Sequence, residues 1–337
     1  MIRRILSAAI LVLLAIALLI LAWPQLFGLD HAPLIAQAVS LRGAAIGVAA
    51  ILIVLLILIA LLFTSIRRFV ASVAVLLLVF AGINGVVLAD RGLGSIAFES
   101  PGATDLTVLS WNTLGDAPGA DGIADLALEQ GADILTLPET TQDMGYAVRD
   151  RMAEAGVTMQ VFTIAFDQVS KARSTTLLVN ATLGAYAIDE AAGSTNPLPS
   201  IVARPVSGVG PTIIAVHPVA PTAGELENWG ADLDWLSRTC VGDNVIMGGD
   251  FNSTLDHFSR LDHADGATIG DCADAAKLSG NAGVGTWPTS IPALLGTPID
   301  HVMLTDNWRV SGMRVIESRD GAGSDHRPLV VQLTPAG

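Results

Sequence analysis

The sequence predicts an α/β domain carried behind three membrane-crossing helices. Three observations predict it. The 337-residue chain is 51% hydrophobic, and the excess is concentrated before residue 90. Beyond that point, apolar runs of strand length alternate with helical stretches. Carboxylates, amides and histidines stand at the ends of those apolar runs.

Residues 1–89 read as a membrane anchor. Residues 5–23, 43–63 and 69–88 are apolar runs, the third interrupted by the polar Ser72 and Asn84. Each matches the roughly 20 residues that cross a bilayer as a helix. Helices buried in a soluble core keep a polar stripe, and residues 49–63 offer none. Arg3 and Arg4 precede the first run, and Arg67 and Arg68 fill the turn between the second and third. Short arginine-rich flanks stay in the cytoplasm. The N-terminus is therefore expected there, and the C-terminal domain outside the cell membrane. Were the first run a cleaved signal peptide, the other two would still return the chain to the same side. No acidic or basic residue lies inside the runs, so they predict an anchor rather than a transport path.

Residues 90–104 (DRGLGSIAFESPGAT) mix Gly, Ser and Pro without apolar periodicity and read as a linker. Residues 105–337 read as one α/β domain. Its strand-like runs fall at 106–111, 133–137, 175–179, 212–216, 244–247, 299–304 and 328–333, with helical stretches at 123–129, 142–155 and 224–238. From residue 100 onward, 12 Lys and Arg face 29 Asp and Glu, a formal net charge of −17. Such a field repels polyanions, which leaves nucleic acid as a substrate only and not as a tightly held partner. Cys240 and Cys272 both fall in this exported part, where they either bridge or stay as two separately buried thiols.

The strand ends carry the chemistry. Asn112 follows the first run, Pro138 and Glu139 the second, and His217 the run at 212–216. The run at 244–247 passes through Gly248 and Gly249 into Asp250 and Asn252, Ile299 leads to Asp300 and His301, and Ser324, Asp325 and His326 open the last strand. Alone, a strand-end Asp or Asn caps a turn, and a single His is a satisfied surface or core residue. Together, polar groups at strand ends converge on one rim of a sheet, where open α/β sheets place their sites.

Taken in order, SWN, PET, the His of AVHP, GGDFNST, PIDHV and SDHRP resemble the endonuclease/exonuclease/phosphatase superfamily. That is the group of DNase I, abasic-site endonucleases, bacterial sphingomyelinases and inositol polyphosphate phosphatases. The resemblance spans residues 106–333 and implies a DNase I-like α/β sandwich, two packed β-sheets flanked by helices. It implies Mg²⁺ or Mn²⁺ held by Glu139, with Asn112 beside it and Asp325 as a second carboxylate near the ion. It implies that Asp250 orients or deprotonates the attacking water and that Asn252 holds a phosphoryl oxygen. His326 would contact the phosphate while Asp300 fixes its tautomer, and His217 would act as general acid or phosphate ligand. The chemistry agrees, because phosphoester hydrolysis needs charge neutralised on oxygen, an aligned water and a proton for the leaving group.

Some positions depart from the pattern or stay open. Leu114 stands where abasic-site endonucleases carry an acidic residue, which weakens a DNA-repair reading. Arg204 resembles a phosphate-contacting arginine of the DNase-like branches, or else makes a surface salt bridge. Trp287 lies in a Gly-rich loop and either stacks on substrate or anchors the core. His257 and His263 follow GGDFNST closely: either one of them approaches the site or, the default for such positions, both are solvated helix or loop residues. Only Arg173, Arg204, Arg260 and Arg327 lie near the motifs, too few for a basic groove. The expected function is therefore a membrane-anchored phosphodiesterase or phosphatase acting on small or lipid-linked phosphoesters. It stands ahead of a surface nuclease and of a protein that only binds a phosphorylated ligand.

Overall fold

Four helices precede the domain: α1 (Ile2–Ala22), the short α2 (Ile35–Ser40), α3 (Arg42–Leu62) and α4 (Arg67–Arg91). The structure is a computed structural model that describes residues 1–94, 96–261 and 267–336. With 21, 21 and 25 residues, α1, α3 and α4 are long and apolar enough to cross a membrane. At about 1.5 Å per residue each covers the roughly 30 Å of a bilayer core. They take in the flanking arginines that the apolar runs exclude, with Arg42 the first residue of α3 and Arg91 the last of α4. Arginine is a good helix former, so the helical hydrogen bonding outlasts the apolarity.

The domain then runs β1 (Leu106–Ser110), α5 (Gly119–Gln130), β2 (Ile134–Pro138), α6 (Gln142–Glu154), β3 (Met159–Ala165), β4 (Ser174–Asn180), β5 (Tyr186–Ile188), β6 (Ile201–Pro205) and β7 (Thr212–Val216). It continues with α7 (Leu226–Thr239), β8 (Val245–Asp250), β9 (Thr268–Ile269), β10 (Cys272–Asp274), α8 (Ala275–Leu278), β11 (Asp300–Leu304), β12 (Trp308–Val315) and β13 (Leu329–Pro335). The strands form a six-stranded sheet, β12-β13-β1-β2-β4-β3, and a seven-stranded sheet, β5-β6-β7-β8-β11-β10-β9.

The two sheets pack face to face. Val108, Ile134, Leu177 and Val331 of the first face Ile213, Ile246 and Val302 of the second in one buried core. Alternation along each strand sends the neighbours Leu109, Leu135 and Val330 to the opposite face, where Ile123 and Leu126 of α5 and Val148 and Met152 of α6 cover them. Helix α7 adds Trp229, Leu233 and Leu236 to the core on the second sheet. The result is an α/β sandwich preceded by three long apolar helices.

Several strands left no apolar run to read. β3 and β12 are edge strands with half-buried faces, and β5, β9 and β10 are only two or three residues long. Residues 96–99 lie along β12: Ile96 bridges Met313, and Glu99 pairs with Arg309 at 2.6 Å. Cys240, at the end of α7, and Cys272, on β10, form a disulfide with their Cα atoms 6.0 Å apart.

The N-terminal helical segment is packed against the domain. The His31 ring lies 4.7 Å from that of Trp229, and Gln37 donates to the carbonyl of Pro221. Arg42 and Arg91 converge on Asp256, at 2.6 and 2.8 Å. His257 corrects the sequence reading: it is buried and not solvated. Its Nδ1 accepts from the Thr254 amide at 2.9 Å and its Nε2 lies 3.1 Å from the carbonyl of Ala36, because α2 covers it. His263 and the Arg260 side chain lie outside the described residues.

Candidate active site

The site is assembled at one edge of the sandwich, from both sheets. β1 and β2 run parallel, so Asn112 and Glu139 emerge together beyond their ends, and Asn112 Nδ2 donates to Glu139 Oε1 at 3.1 Å. The same Nδ2 donates across to Asp250 Oδ2 of the second sheet at 3.0 Å. There the parallel strands β7 and β8 deliver His217 and Asp250, and the antiparallel β11 starts at Asp300. Gly249 has no alternative at its position: φ is +151°, and a Cβ would collide with the carbonyl of Val216. Glu139 and Asn252 hold left-handed backbone, φ 57° and 45°, a strain that clusters at functional sites.

Asp250 and Asp300 face each other directly in the β8/β11 register. Two carboxylates so placed repel unless a positive charge joins them. His326 supplies it, with Nδ1 2.9 Å from Asp300 Oδ2 and Nε2 3.8 Å from Asp250 Oδ2. Burial alone would discharge the ring, but the Asp300 and Asp250 charges override it and hold the imidazolium up to about 10. Burial also pushes the Asp250 carboxyl up to about 7, against the pull of His326. His217, wholly buried, is pushed down to about 3 and stands neutral, its Nε2 3.9 Å from Glu139 Oε1.

Asn252 donates its backbone N–H to Asp250 Oδ1 at 2.8 Å and its amide to the Pro218 carbonyl at 3.0 Å. Asp325 lies 4.0 Å from His326 Nε2 and accepts from Trp287 Nε1 at 2.9 Å. Trp287 therefore borders the site through a hydrogen bond to a carboxylate. Arg204 does not reach it. That side chain is half exposed, pairs with Asp189 at 2.7 Å and donates to Thr212 at 3.1 Å, at the start of β7. His217 lies five residues on, roughly 16 Å along the strand. Of the two roles open to Arg204, the structure has the surface salt bridge.

The donor set suits a hard divalent cation. Burial raises the Glu139 carboxyl, and among the described residues no Lys or Arg pairs with it. Asp325 Oδ1 is buried without a hydrogen-bond partner, and its charge is felt at Glu139. Oxygen ligands of this kind fit Mg²⁺ or Mn²⁺. Asp250, Asp300 and His326 also bring one potential ligand atom each within 4.8 Å of one another. In that group His326 Nδ1 already makes a hydrogen bond to Asp300 at 2.9 Å, so only its Nε2 could serve as a ligand.

Three residues brace the site from behind. His301, buried, links Asp274 at 2.7 Å to the Ser253 carbonyl at 2.9 Å and so backs the loop that holds Asn252. Asp116 takes the backbone N–H and the hydroxyl of Thr141, each at 2.9 Å, bracing the chain after Glu139. Arg327 is fully buried and donates to the carbonyls of Gly285, Pro288, Thr289 and Ile291, which fixes the loop carrying Trp287. Only adjacency to a motif residue marked His301 and Arg327 in the sequence.

The sequence profile of the Endonuclease/Exonuclease/phosphatase family matches residues 109–326. No curated protein matches the chain. Among solved structures, an endonuclease/exonuclease/phosphatase from Beutenbergia cavernae is similar over 69% of this chain and 72% of its own, with 17% identity and a TM-score of 0.52. D. rerio TDP2 humanized by 14 mutations is similar over 69% of this chain and 100% of its own, with 16% identity and a TM-score of 0.52. D. rerio TDP2 complexed with single strand DNA product is similar over 68% and 99%, with 16% identity and a TM-score of 0.53. At these identities the likeness is one of fold.

Proposed function

Because the chain belongs to the Endonuclease/Exonuclease/phosphatase family, typically metal-dependent hydrolases of phosphoesters, we propose that it is a membrane-anchored, divalent-metal-dependent phosphodiesterase or phosphatase. In this reading residues 1–89 anchor, residues 90–104 connect, and residues 105–337 act outside the cytoplasmic membrane on small or lipid-linked phosphoesters. The observation that carries it is His326, buried between Asp300 and Asp250 and held as an imidazolium. With Nδ1 held by Asp300, Nε2, 3.8 Å from Asp250, is the ring donor left to meet a phosphoryl oxygen.

Glu139, Asn112 and Asp325 would hold the Mg²⁺ or Mn²⁺. Once bound, the ion offsets charge on a phosphoryl oxygen. His326 donates from Nε2 to a second oxygen, with Asp300 fixing Nδ1 as the protonated nitrogen. Asp250, with a carboxyl near neutrality, orients the water and takes its proton. Asn252 holds a phosphoryl oxygen by trading its 3.4 Å contact with Asp250 for the substrate, while Pro218 keeps the amide in place. A neutral His217 serves better as a hydrogen-bond donor to phosphate than as a general acid, so the departing oxygen takes its proton from solvent water. The formal −17 of the exported part argues against long nucleic acids as substrate.

The test uses the full chain in detergent with Mg²⁺ or Mn²⁺, against a chromogenic phosphodiester, phospholipids, RNA and plasmid DNA. Metal-dependent cleavage of the small or lipid esters, lost in His326→Ala, is expected. Cleavage of DNA or RNA alone would favour the nuclease, and binding without turnover a phospho-ligand receptor.

A further inference from the structure

The site edge of the domain and the domain-facing ends of the helices are the same place. Beyond His217 the chain reaches Pro221, whose carbonyl accepts from Gln37 of α2. Beyond Asn252 it reaches Asp256, gripped by Arg42 at the start of α3 and Arg91 at the end of α4. Before Asp300 runs the loop 285–296, and its Leu294 backbone lies so close to Gly43, the second residue of α3, that a Cβ there would strike the Leu294 carbonyl. Three of the segments that carry site residues therefore end on the anchor.

That contact sets a depth. The 21 residues of α3 rise about 31 Å, close to the thickness of a bilayer core, so a spanning α3 has Arg42 and Gly43 near the headgroup boundary. Leu294 and Leu295, on the loop touching Gly43, are 51% and 38% exposed. Two adjacent exposed leucines continuous with a membrane-spanning helix have one natural occupant, the leaflet from which that helix emerges. The same loop carries Trp287, seven residues before Leu294, with its indole on Asp325, and Arg327 holds the loop through four carbonyls. The bilayer surface and the mouth of the site are thus joined by one braced segment.

We propose that Leu294 and Leu295 seat in the outer leaflet and that the substrate is a lipid of that same leaflet, its headgroup phosphoester entering the site sideways from the membrane. This rests on the hydrolase reading above. Lateral entry removes the need to extract the lipid, since the phosphate already lies at the level of Arg42.

Two measurements on the full chain in phosphatidylcholine/phosphatidylglycerol vesicles test it. The first reads the loop without activity. Both native cysteines are paired, so Leu294→Cys gives one thiol for an environment-sensitive fluorophore. Quenching by lipid-borne nitroxide is expected, and a water-like emission with no quenching overturns the seating. The second compares wild type with the double variant Leu294→Ser/Leu295→Ser, on phospholipid in vesicles and on a soluble chromogenic phosphodiester. The expected result is about a tenfold rise in KM for the vesicle lipid, with kcat and the soluble ester unchanged. Equal loss on both substrates, or none on the lipid, overturns lateral entry. Failure of the wild type on every ester removes the hydrolase reading and with it the substrate assignment, while the quenching result still decides the seating of the loop.

Discussion

Arg42 and Asp256, 214 residues apart, meet in a two-pronged ion pair, with Nε to Oδ2 at 3.0 Å and Nη2 to Oδ1 at 2.6 Å. Both side chains are buried. The third Arg42 nitrogen, Nη1, donates to the Ala22 carbonyl and to Asn84, so one guanidinium ties α1, α3, α4 and the domain together. Arg91 adds a second cation to the same carboxylate. The helices are thereby fixed to the domain at the loop that follows Asp250 and Asn252.

Asp256→Asn should be strongly destabilising, because it strands two buried guanidinium groups. Breaking such a pair costs about 3–5 kcal/mol. For a chain of this size that corresponds to a fall of roughly 10 °C in Tm of the detergent-solubilised protein. An unchanged melting temperature would mean that the N-terminal helices and the domain do not dock through this carboxylate.

The same pair gives a pH dependence. Burial would raise the Asp256 carboxyl, but Arg91 and Arg42 override it and hold it far below the ordinary carboxylate range. A depressed folded pKa contributes stability that is fully present above the unfolded value of 3.8 and is lost as pH falls below it. Melting curves from pH 6 to pH 3 should therefore show the wild type losing more stability below about pH 4 than Asp256→Asn does. Parallel curves would remove the linkage.

Legibility from sequence followed the physics of each feature. Asn112, Glu139, His217, Asp250, Asp300 and His326 stand at, or within three residues of, the ends of apolar strands, where the strand pattern points, and Asn252 and Asp325 are close neighbours of two of them. The burial of Arg42 and His257 has no local sequence signal, because it depends on α2 and the start of α3 lying against residues more than 200 positions away. Arg204 shares a strand end with no site residue. Its neighbourhood in sequence suggested the site, but β6 runs antiparallel to β7 and carries it to the far edge.

Glu139→Ala and His326→Ala should separate metal from chemistry. The first removes the main oxygen donor, so Mn²⁺ affinity by calorimetry and turnover should fall together. The second should reduce turnover at least 10²–10³-fold, as loss of one oxyanion-stabilising donor does, with Mn²⁺ affinity largely kept. Full activity in both variants would reject this set of residues.

Arg204→Ala should leave kcat/KM within about twofold of wild type, as surface changes remote from a site do. The half-exposed Arg204–Asp189 pair contributes little to stability, so Tm should also hold. A large loss of kcat alone would show that Arg204 reaches the phosphate in the complex.

Asp300→Asn tests whether the imidazolium is what the site depends on. The amide oxygen can still accept from His326 Nδ1, so the ring keeps its place while losing its nearest negative charge. Burial then acts against fewer compensating charges, and the raised His326 pKa of about 10 must fall. The alkaline limb of kcat/KM should accordingly move to lower pH, with activity at pH 8 reduced at least a hundredfold. Asp300→Glu, which restores the charge, should move the limb back toward that of the wild type. An alkaline limb unmoved in Asp300→Asn would show that a group other than His326 sets it, and the assignment of the phosphate-contacting cation would pass to the metal held at Glu139.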